Sequence, residues 1–362
     1  MLVPVRDEAL NLAATAASMQ AQQFPGEIEF IFADGRSSDD TLEILHDLAA
    51  GDRRIRVVDN PERLTPHGLN ICLREARGTF VARMDGHAQY PSDYLARGVE
   101  RLGRGDVAWV SGPQLPRGEG WWSSRVTLAL QSTLGRGGSR RWRSDSGSEA
   151  ADELPITSGS GVFLGVWRRS TLLELDGWDE GWAANQDVEL AARIEARGDR
   201  IVSLASMGAF YIPRNSPRSL FRQYFRYGFF RVKTSRRHPG ALRLSHLGTP
   251  CIVAALLASS LPAGAPSRRR IRTAARAASG AYGLAVLTGT ARVARRREPL
   301  DWILVPGVLA VMHVSWGVGF IAGCWRLGPP TEGLKSVARG LRVRVGGPSR
   351  QRRPAEARPG PA

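Results

Sequence analysis

The sequence predicts an α/β fold in which a largely parallel sheet is followed by membrane-associated helices near the C-terminus. Two observations support this prediction. Over the first 110 residues, short apolar runs alternate with stretches of helical length, which is the pattern of βαβ units. Beyond about residue 245, longer apolar segments replace this alternation. The chain has 362 residues, 43% of them apolar, so it can bury one large core or two modest ones.

The predicted elements of the first half follow one another in a regular order. Strands are predicted at four apolar runs, LVPV, IEFIFAD, RIRVVDN and FVARMD, and helices over residues 8–23, 39–50 and 68–76. Acidic or turn residues follow each strand closely, as in Asp34-Gly35, Asp59-Asn60 and Asp85-Gly86-His87. Because parallel sheets bind ligands at the carboxyl ends of their strands, this edge is the predicted site.

The alternation breaks down between residues 113 and 155, where Gly, Ser, Arg and Trp dominate. We expect a mobile loop here. A loop of this length inside an enzyme is more often a lid or substrate gate than a passive linker, and plain disorder is the alternative. Regular structure is expected to resume at ITSGSGVFLGVW, with a helix over residues 187–196 and a strand near IVSLAS.

Apolar segments near the C-terminus predict attachment to a membrane. Residues 303–325 carry no formal charge and are long enough to cross a bilayer, although His313 and several glycines weaken the pattern. Residues 247–262 and 279–291 are short for full spans, and each could be a hairpin limb, a re-entrant piece or a soluble core helix. The predicted regions are an α/β domain over 1–235 that includes the 113–155 loop, membrane-associated helices over 236–328, and a basic, disordered tail over 329–362.

The formal charge of +16 raises nucleic acid as a partner, but the distribution of the charge argues against it. Nearly all basic residues are arginines, and they concentrate in 268–276, in 292–297 and from 339 onward, beside the apolar segments. That placement suits anionic lipid headgroups better than a nucleic-acid groove. We therefore expect a membrane as partner and no nucleic acid.

Cysteine usage and the first residues predict a cytoplasmic location for the α/β domain. The three cysteines lie far apart and form no metal-spaced pair, so neither a disulfide framework nor a zinc site is expected. Residues 1–5 are too short for the apolar core of a secretory signal, and acidic residues follow at once. The expected location is the cell (inner) membrane, with the α/β domain on its cytoplasmic side.

Three segments offer side chains that could bind a nucleoside, hold a metal on a diphosphate or take a proton from a hydroxyl. Asp34 ends a buried-looking strand, where a carboxylate is costly without a partner, but it could equally be a turn residue. Asp85 and His87 can reach one ion if the backbone turns at Gly86, and this pair suits Mn²⁺ better than Mg²⁺. A solvated turn is the alternative.

Two further segments have a functional and an ordinary interpretation. Asp187 begins a predicted helix, where it could be a general base or simply a favourable charge near the positive end of the helix dipole. The segment RSLFRQYFRYGFFR mixes arginines with aromatics, which is typical of an interfacial amphipathic helix. It also suits a site for an anionic diphosphate and a sugar ring.

The order of five motifs decides between these interpretations. LVPVRDEALNL, IFADGRSSDDT, LTPHGLNICLREARGTFVARMDGHAQYP, GWDEGWAANQDVELAARIEARG and YIPRNSPRSLFRQYFRYG follow one another along the chain. In this order and spacing the chain resembles the family 2 inverting glycosyltransferases over about residues 1–235. MDGHAQYP and RQYFRYG are similar in particular to the succinoglycan-type exopolysaccharide glycosyltransferases. The resemblance implies a GT-A (Rossmann-like) fold and a nucleotide-diphosphate sugar donor such as UDP-glucose.

The resemblance also implies roles for individual residues. Asp187 matches the catalytic base, with Gln186 in place of the usual glutamate. Asp85 matches the first acid of the D-x-D motif and His87 takes the place of the second, which implies a divalent metal, Mn²⁺ or Mg²⁺. The residues implied to bind the nucleotide sugar are Pro4, Val5, Arg6, Glu8, Asp34 and Asp85. The Q-x-x-R-W motif of the family is matched by Gln223, Arg226 and Tyr227. The resemblance implies that these residues contact the donor diphosphate and the acceptor sugar.

The implied function is inverting transfer of a hexose to a lipid-linked saccharide in exopolysaccharide or cell-envelope glycan assembly. A polyprenyl-phosphate sugar synthase, which would accept a bare lipid phosphate, is one alternative, but the Gln223 motif favours a saccharide. A non-catalytic membrane scaffold that retains the fold is another, suggested by the substitutions at His87 and Gln186. Against the scaffold stand the intact Asp85 and Asp187.

Overall fold

The computed structural model describes residues 1–139, 152–262, 265–294 and 298–345. The strands in this part of the chain are β1 (Leu2–Val5), β2 (Phe30–Asp34), β3 (Ile55–Asp59), β4 (Phe80–Arg83), β5 (Ala88–Gln89), β6 (Trp109–Ser111), β7 (Gln114–Pro116), β8 (Glu153–Ile156), β9 (Gly165–Arg168), β10 (Ile201–Leu204) and β11 (Ala209–Tyr211). The helices are α1 (Ala9–Gln20), α2 (Thr41–Gly51), α3 (Thr65–Glu75), α4 (Tyr94–Gly103), α5 (Trp121–Gln131), α6 (Thr133–Arg136), α7 (Arg169–Glu174), α8 (Gln186–Ala196), α9 (Pro217–Arg237), α10 (Ser245–Ser259), α11 (Pro266–Ala294), α12 (Asp301–Leu327) and α13 (Thr331–Val345).

Eight strands form one mixed sheet in the order β3-β2-β1-β4-β9-β6-β10-β8, and β5-β11-β7 form a second, smaller sheet. Strands β1 to β4 pair in parallel, as the alternating sequence pattern predicts. Strand β9 runs antiparallel to β4 and β6, and β8 runs antiparallel to β10. Because β2 and β4 lie on opposite sides of β1, the strand order changes direction there. In sheets of this type a ligand crevice opens at that point.

Both faces of the main sheet are buried. Val3, Phe30 and Phe32 belong to one apolar cluster, whereas Leu2 and Ile31 belong to another. Successive side chains of a strand point to opposite faces, so neighbouring residues enter different clusters. Two covered faces explain why these strands are continuous apolar runs in the sequence.

The segment 113–155 is not one long loop. It contains β7, α5, α6 and the start of β8, and its residues 140–151 lie outside the described residues. Helix α5 forms because Trp122, Val126 and Ala129 recur at helical spacing, and all three side chains are buried. The prediction of a loop throughout was wrong because polar neighbours dominate the composition around this apolar stripe.

The C-terminal helices pack against the α/β domain. Helix α9 runs through the predicted boundary at residue 235 and lies along α12. A Cβ on Gly319 would lie 2.1 Å from the backbone oxygen of Phe225, and one on Gly228 would lie 2.0 Å from that of Trp316. Small residues let helix backbones approach this closely, so the contact between α9 and α12 depends on glycine.

The predicted disordered tail begins with a helix. Helix α13 covers Thr331–Val345, while residues 346–362 lie outside the described residues. Val337 of this helix packs against a small apolar cluster that contains Val232, Leu242 and Phe320. This burial explains why a segment rich in arginine is helical, and the disorder predicted from residue 329 is wrong over α13.

Replacing Gly319 by alanine should destabilise the fold. The added methyl would clash with backbone atoms that cannot move away, and overpacking of this kind costs about 1–3 kcal/mol. The matched control is Gly307→Ala in the same helix, because a Cβ there meets nothing within 4 Å. Thermal unfolding is measured for the wild type and both variants in the same detergent. The midpoint should fall for Gly319→Ala and stay at the wild-type value for Gly307→Ala. Equal midpoints for the two variants would contradict the close α9–α12 contact.

Candidate active site

A cleft of about 580 Å³ opens where β1 and β4 end. It brings together residues from β1, from the turn after β4, from the start of α8 and from α9. The residues predicted from the sequence that line it are Pro4, Val5, Arg6, Glu8, Asp85, His87, Asp187, Gln223, Arg226 and Tyr227. One cleft thus joins motifs that are separated by more than half of the chain.

Asp34 is the predicted site residue that lies outside the lining of this cleft. Its carboxylate is buried at the end of β2 and accepts hydrogen bonds from the Ser37 backbone N–H (3.2 Å) and hydroxyl (2.5 Å). Its backbone oxygen accepts the N–H of Asn60, which does line the cleft. These contacts fit the turn role that the sequence also allowed, and nucleoside binding by Asp34 stays a prediction.

Arg83 is a buried site residue that the sequence reasoning missed. This last residue of β4 has a side chain only 6% exposed, and it bridges the two predicted acids. Its Nη2 lies 2.9 Å from Asp85 Oδ1, and its Nη1 lies 2.5 Å from Asp187 Oδ1. A buried arginine without a partner is costly, so an arginine inside an apolar strand is a signal that could have revealed it.

The bridge sets the electrostatics of the cleft. Burial raises the pKa of Asp187 and nearby Asp85 raises it further, while the Arg83 guanidinium opposes both effects. Burial alone would lower the pKa of Arg83, but Asp187 and Asp85 raise it above its ordinary value. Arg83 is therefore a permanent cation between two carboxylates.

His87 is held by Glu8. The His87 Nδ1 lies 2.8 Å from Glu8 Oε1, and its ring meets that of Tyr211 edge to face. Burial lowers the pKa of His87, but the hydrogen bond and charge of Glu8 outweigh this, so the pKa is raised overall. Glu8, predicted as a nucleotide contact, is thereby placed as the partner of the predicted metal ligand.

The described residues contain no group of three or more His, Cys, Asp or Glu placed to hold one metal ion. Asp85 and His87 could supply two ligands. Metals that act on nucleotides are often bound by one or two protein side chains and completed by phosphate oxygens and water. A two-ligand site in this cleft therefore fits a metal that arrives with a diphosphate.

Helix α9 forms the opposite wall of the cleft and is tied to the segment before Asp187. The Arg226 guanidinium donates to the Ala183 backbone oxygen (2.8 Å), and the Asn185 side-chain amide donates to the Tyr227 backbone oxygen (3.2 Å). Gln223 donates to the Tyr211 hydroxyl (3.0 Å). Further lining cations that the sequence reasoning did not single out are Arg63, Arg214 and Arg222. Such a basic wall attracts an anionic ligand.

Comparisons with known proteins find one matching family and two related proteins. Residues 1–163 match the family described as Glycosyl transferase family 2. The chain is 29% identical over 338 residues to the succinoglycan biosynthesis protein ExoA of Rhizobium meliloti, covering 90% of this chain and 93% of that protein. It is also 29% identical over 188 residues to the GalNAc(5)-diNAcBac-PP-undecaprenol beta-1,3-glucosyltransferase of Campylobacter jejuni, covering 51% and 56%.

A solved structure shows the same fold. The mannosyltransferase PcManGT from Pyrobaculum calidifontis, in complex with GDP-Man and Mn²⁺, superimposes with a TM-score of 0.52 at 19% identity. The match covers 89% of this chain and 86% of that one. The GT-A fold implied by the sequence motifs is thus confirmed. The match of residues 1–163 to that family, the two relatives and this fold together identify the chain as a glycosyltransferase.

Proposed function

We propose that this glycosyltransferase moves a hexose from a nucleotide-diphosphate sugar to a lipid-linked saccharide, with Asp187 as the general base. The observation that carries the proposal is the placement of Asp187 beside Asp85 in a cleft with a basic wall. Asp187 takes the proton of the acceptor hydroxyl as its oxygen attacks the anomeric carbon. The bond to the nucleotide diphosphate breaks on the opposite face, which inverts the configuration.

The donor lies between β1 and α9 in this proposal. Pro4, Val5 and Arg6 line the cleft at the end of β1, where the resemblance places the nucleoside. Arg222 and Arg226 line the α9 side, where forked guanidinium donors suit diphosphate oxygens. The Ala183 backbone oxygen holds the Arg226 guanidinium, and a cation held in position stabilises the charge that develops on the leaving group without reorganisation.

Asp85 and His87 are the residues that would hold a divalent metal. Histidines that bind metals usually donate their other ring N–H to a carboxylate, and the Glu8–His87 pair has this arrangement. Nε2 is then the ring nitrogen that a metal would take. When bound, the metal supplies charge neutralisation for the donor diphosphate.

Removing His87 should raise the Mn²⁺ concentration needed for half-maximal release of nucleotide diphosphate. Substitutions that merely disturb a ligand's partner cost 10- to 100-fold in metal affinity, so Glu8→Gln should fall in that range and His87→Ala should reach or exceed it. His46→Ala on the exposed face of α2 is the matched control. An unchanged Mn²⁺ dependence in His87→Ala would remove His87 from the metal site.

The acceptor distinguishes the leading proposal from a polyprenyl-phosphate sugar synthase. The Campylobacter relative is by name a glucosyltransferase that acts on a lipid-diphosphate saccharide, which supports a saccharide acceptor here. Nucleotide diphosphate release should be measured for a panel of donors with Mn²⁺ or Mg²⁺. Each donor is combined with a polyprenyl-diphosphate saccharide or with polyprenyl phosphate. Acceleration by the saccharide supports the proposal, whereas acceleration by polyprenyl phosphate alone supports the alternative.

The C-terminal helices attach the protein to the inner membrane with the catalytic domain on the cytoplasmic side. Helix α12 is the one helix in the described part of the chain that is long and apolar enough to cross a bilayer. However, α12 lies along α9, which carries seven Arg and Lys residues that are costly inside a bilayer. Attachment therefore uses the outer surface of the helices, where Leu257, Leu284 and Ile303 are exposed.

Arginines of α11 should strengthen binding to anionic membranes. Arg268, Arg269 and Arg270 are exposed, and each contributes about 1 kcal/mol near an anionic surface. Replacing all three by serine should weaken binding to phosphatidylglycerol vesicles roughly 100-fold. The control removes the same charge from the α/β domain through Arg53, Arg77 and Arg104. Equal losses in the two triple variants, measured by flotation, would show that only the overall charge matters.

A further inference from the structure

A second cavity, of about 140 Å³, lies between the catalytic domain and helices α9, α10 and α12. It adjoins the active-site cleft, because Asn185, Val188 and Tyr227 line both. The proposed donor site and metal site do not extend into this cavity. Its position beside the catalytic helix α8 suggests a ligand that extends from the reacting centre.

The cavity is cationic. Arg136, Arg231 and Arg243 line it, and none of its described lining residues is acidic. Arg231 is buried, and its Nη1 donates to the backbone oxygens of Ser158 (3.4 Å) and Ala241 (3.2 Å), which fixes the guanidinium in place. Three guanidinium groups around one small volume are typical of a site for phosphate.

Other polar groups point to an oxygen-rich ligand. The Nε of Arg136 and the hydroxyl of Thr249 are buried and have no hydrogen-bond partner in the described part of the chain. Buried polar groups normally have partners, so such a pair in one cavity indicates a missing acceptor. Gly137 and Gly138 line the cavity beside these donors in left-handed backbone (φ 56° and 74°), a conformation that glycine adopts without steric cost.

Part of the lining comes from the C-terminal helices. Met312 and Trp316 come from α12, and Thr249 comes from α10. Leu256 and Leu257, further along α10, are exposed. A phosphate in this cavity could therefore carry a saccharide into the active-site cleft on one side and an apolar chain along α10 on the other.

We propose that this cavity binds the phosphate group of the lipid-linked acceptor. This inference rests on the proposed function, because it assigns the anchoring part of the same acceptor. Because the cavity recognises only the phosphate, a small polar site can select a substrate whose chain is much larger. The anion that binds here is the phosphate of the lipid. Free phosphate has the same charge and oxygens but lacks the apolar chain, so it should bind more weakly.

The test is binding of polyprenyl phosphate to the full chain in detergent. The wild type should bind polyprenyl phosphate at least tenfold more tightly than the polyprenol of the same length, and inorganic phosphate should displace it only weakly. Arg136→Gln and Arg243→Gln should each reduce this preference about tenfold or more. Arg74→Gln, which removes an exposed arginine of α3, should keep it.

Each possible result has one meaning. Equal binding of polyprenol and polyprenyl phosphate, or an unchanged preference in both arginine variants with wild-type thermal midpoints, overturns the inference. Tight binding of inorganic phosphate without binding of the lipid phosphate also overturns it, because the site would then serve a free anion. Nucleotide diphosphate release is measured separately, so a wild type that binds the lipid but transfers no sugar would contradict the proposed function alone.

Discussion

Asp187→Asn should reduce sugar transfer by about 10²- to 10⁴-fold, the usual contribution of a positioned general base. Asparagine has nearly the shape of aspartate, and its amide oxygen can still accept a hydrogen bond from Arg83. It cannot take a proton from the acceptor hydroxyl. The loss should therefore appear in kcat, while the affinity for nucleotide diphosphate stays within about threefold of wild type.

Two measurements make this expectation decisive. Transfer is followed as radiolabelled product with the accepted donor, and nucleotide binding is followed by calorimetry. Asp47→Asn, an exposed residue of α2, is the matched control and should match wild type in both. Transfer by Asp187→Asn within threefold of wild type would exclude Asp187 as the base. Loss of nucleotide binding as well as transfer would indicate a disrupted site instead.

The parallel strands and most of the cleft could be predicted because their signals are local. Strands β1 to β4 are continuous apolar runs, Asp85 follows the last of them and Asp187 lies in the first turn of a helix. The carboxyl ends of parallel strands meet at one edge, so residues after β1 and β4 had to lie close together. The resemblance then added the role of Asp187.

The role of Arg83 could not be predicted in the same way because its partner is remote. Asp187 lies 104 positions further along the chain, and no local pattern specifies that pairing. The antiparallel direction of β9 could not be predicted from local sequence either, because the direction of pairing depends on how the chain returns to the sheet. Composition also misled at α5, where six buried residues lie within a longer segment that is rich in polar residues.

Helix α12 has the length and composition of a membrane span, and it also packs along another helix of the protein. A bilayer and a protein neighbour select the same apolar residues. The contact with another helix has its own signal, the spacing of Ser315, Gly319 and Gly323 four residues apart, which lets helices approach closely inside or outside a membrane. Gly319 and Gly323 do face α9, at Phe225 and Phe229.

Arg83→Met should both inactivate and destabilise the protein. Methionine keeps much of the side-chain volume but leaves the Asp85 and Asp187 carboxylates close together without their shared cation. Breaking a buried ion pair by removing one partner costs about 3–5 kcal/mol, because the remaining charge is uncompensated. Arg83→Lys should recover only part of this stability, since an ammonium lacks the planar fork that reaches both acids.

A double-mutant cycle separates this electrostatic role from simple packing. In Arg83→Met/Asp187→Asn one of the two stranded carboxylates is neutral, so the double variant should be more stable than Arg83→Met alone. Coupling between contacting charged residues is about 0.5–3 kcal/mol, measurable by chemical unfolding. Additive effects within about 0.5 kcal/mol would mean that Arg83 stabilises the fold through packing. Coupling of the expected sign would instead show that the charge of Arg83 holds the carboxylate of Asp187, the proposed base, in place.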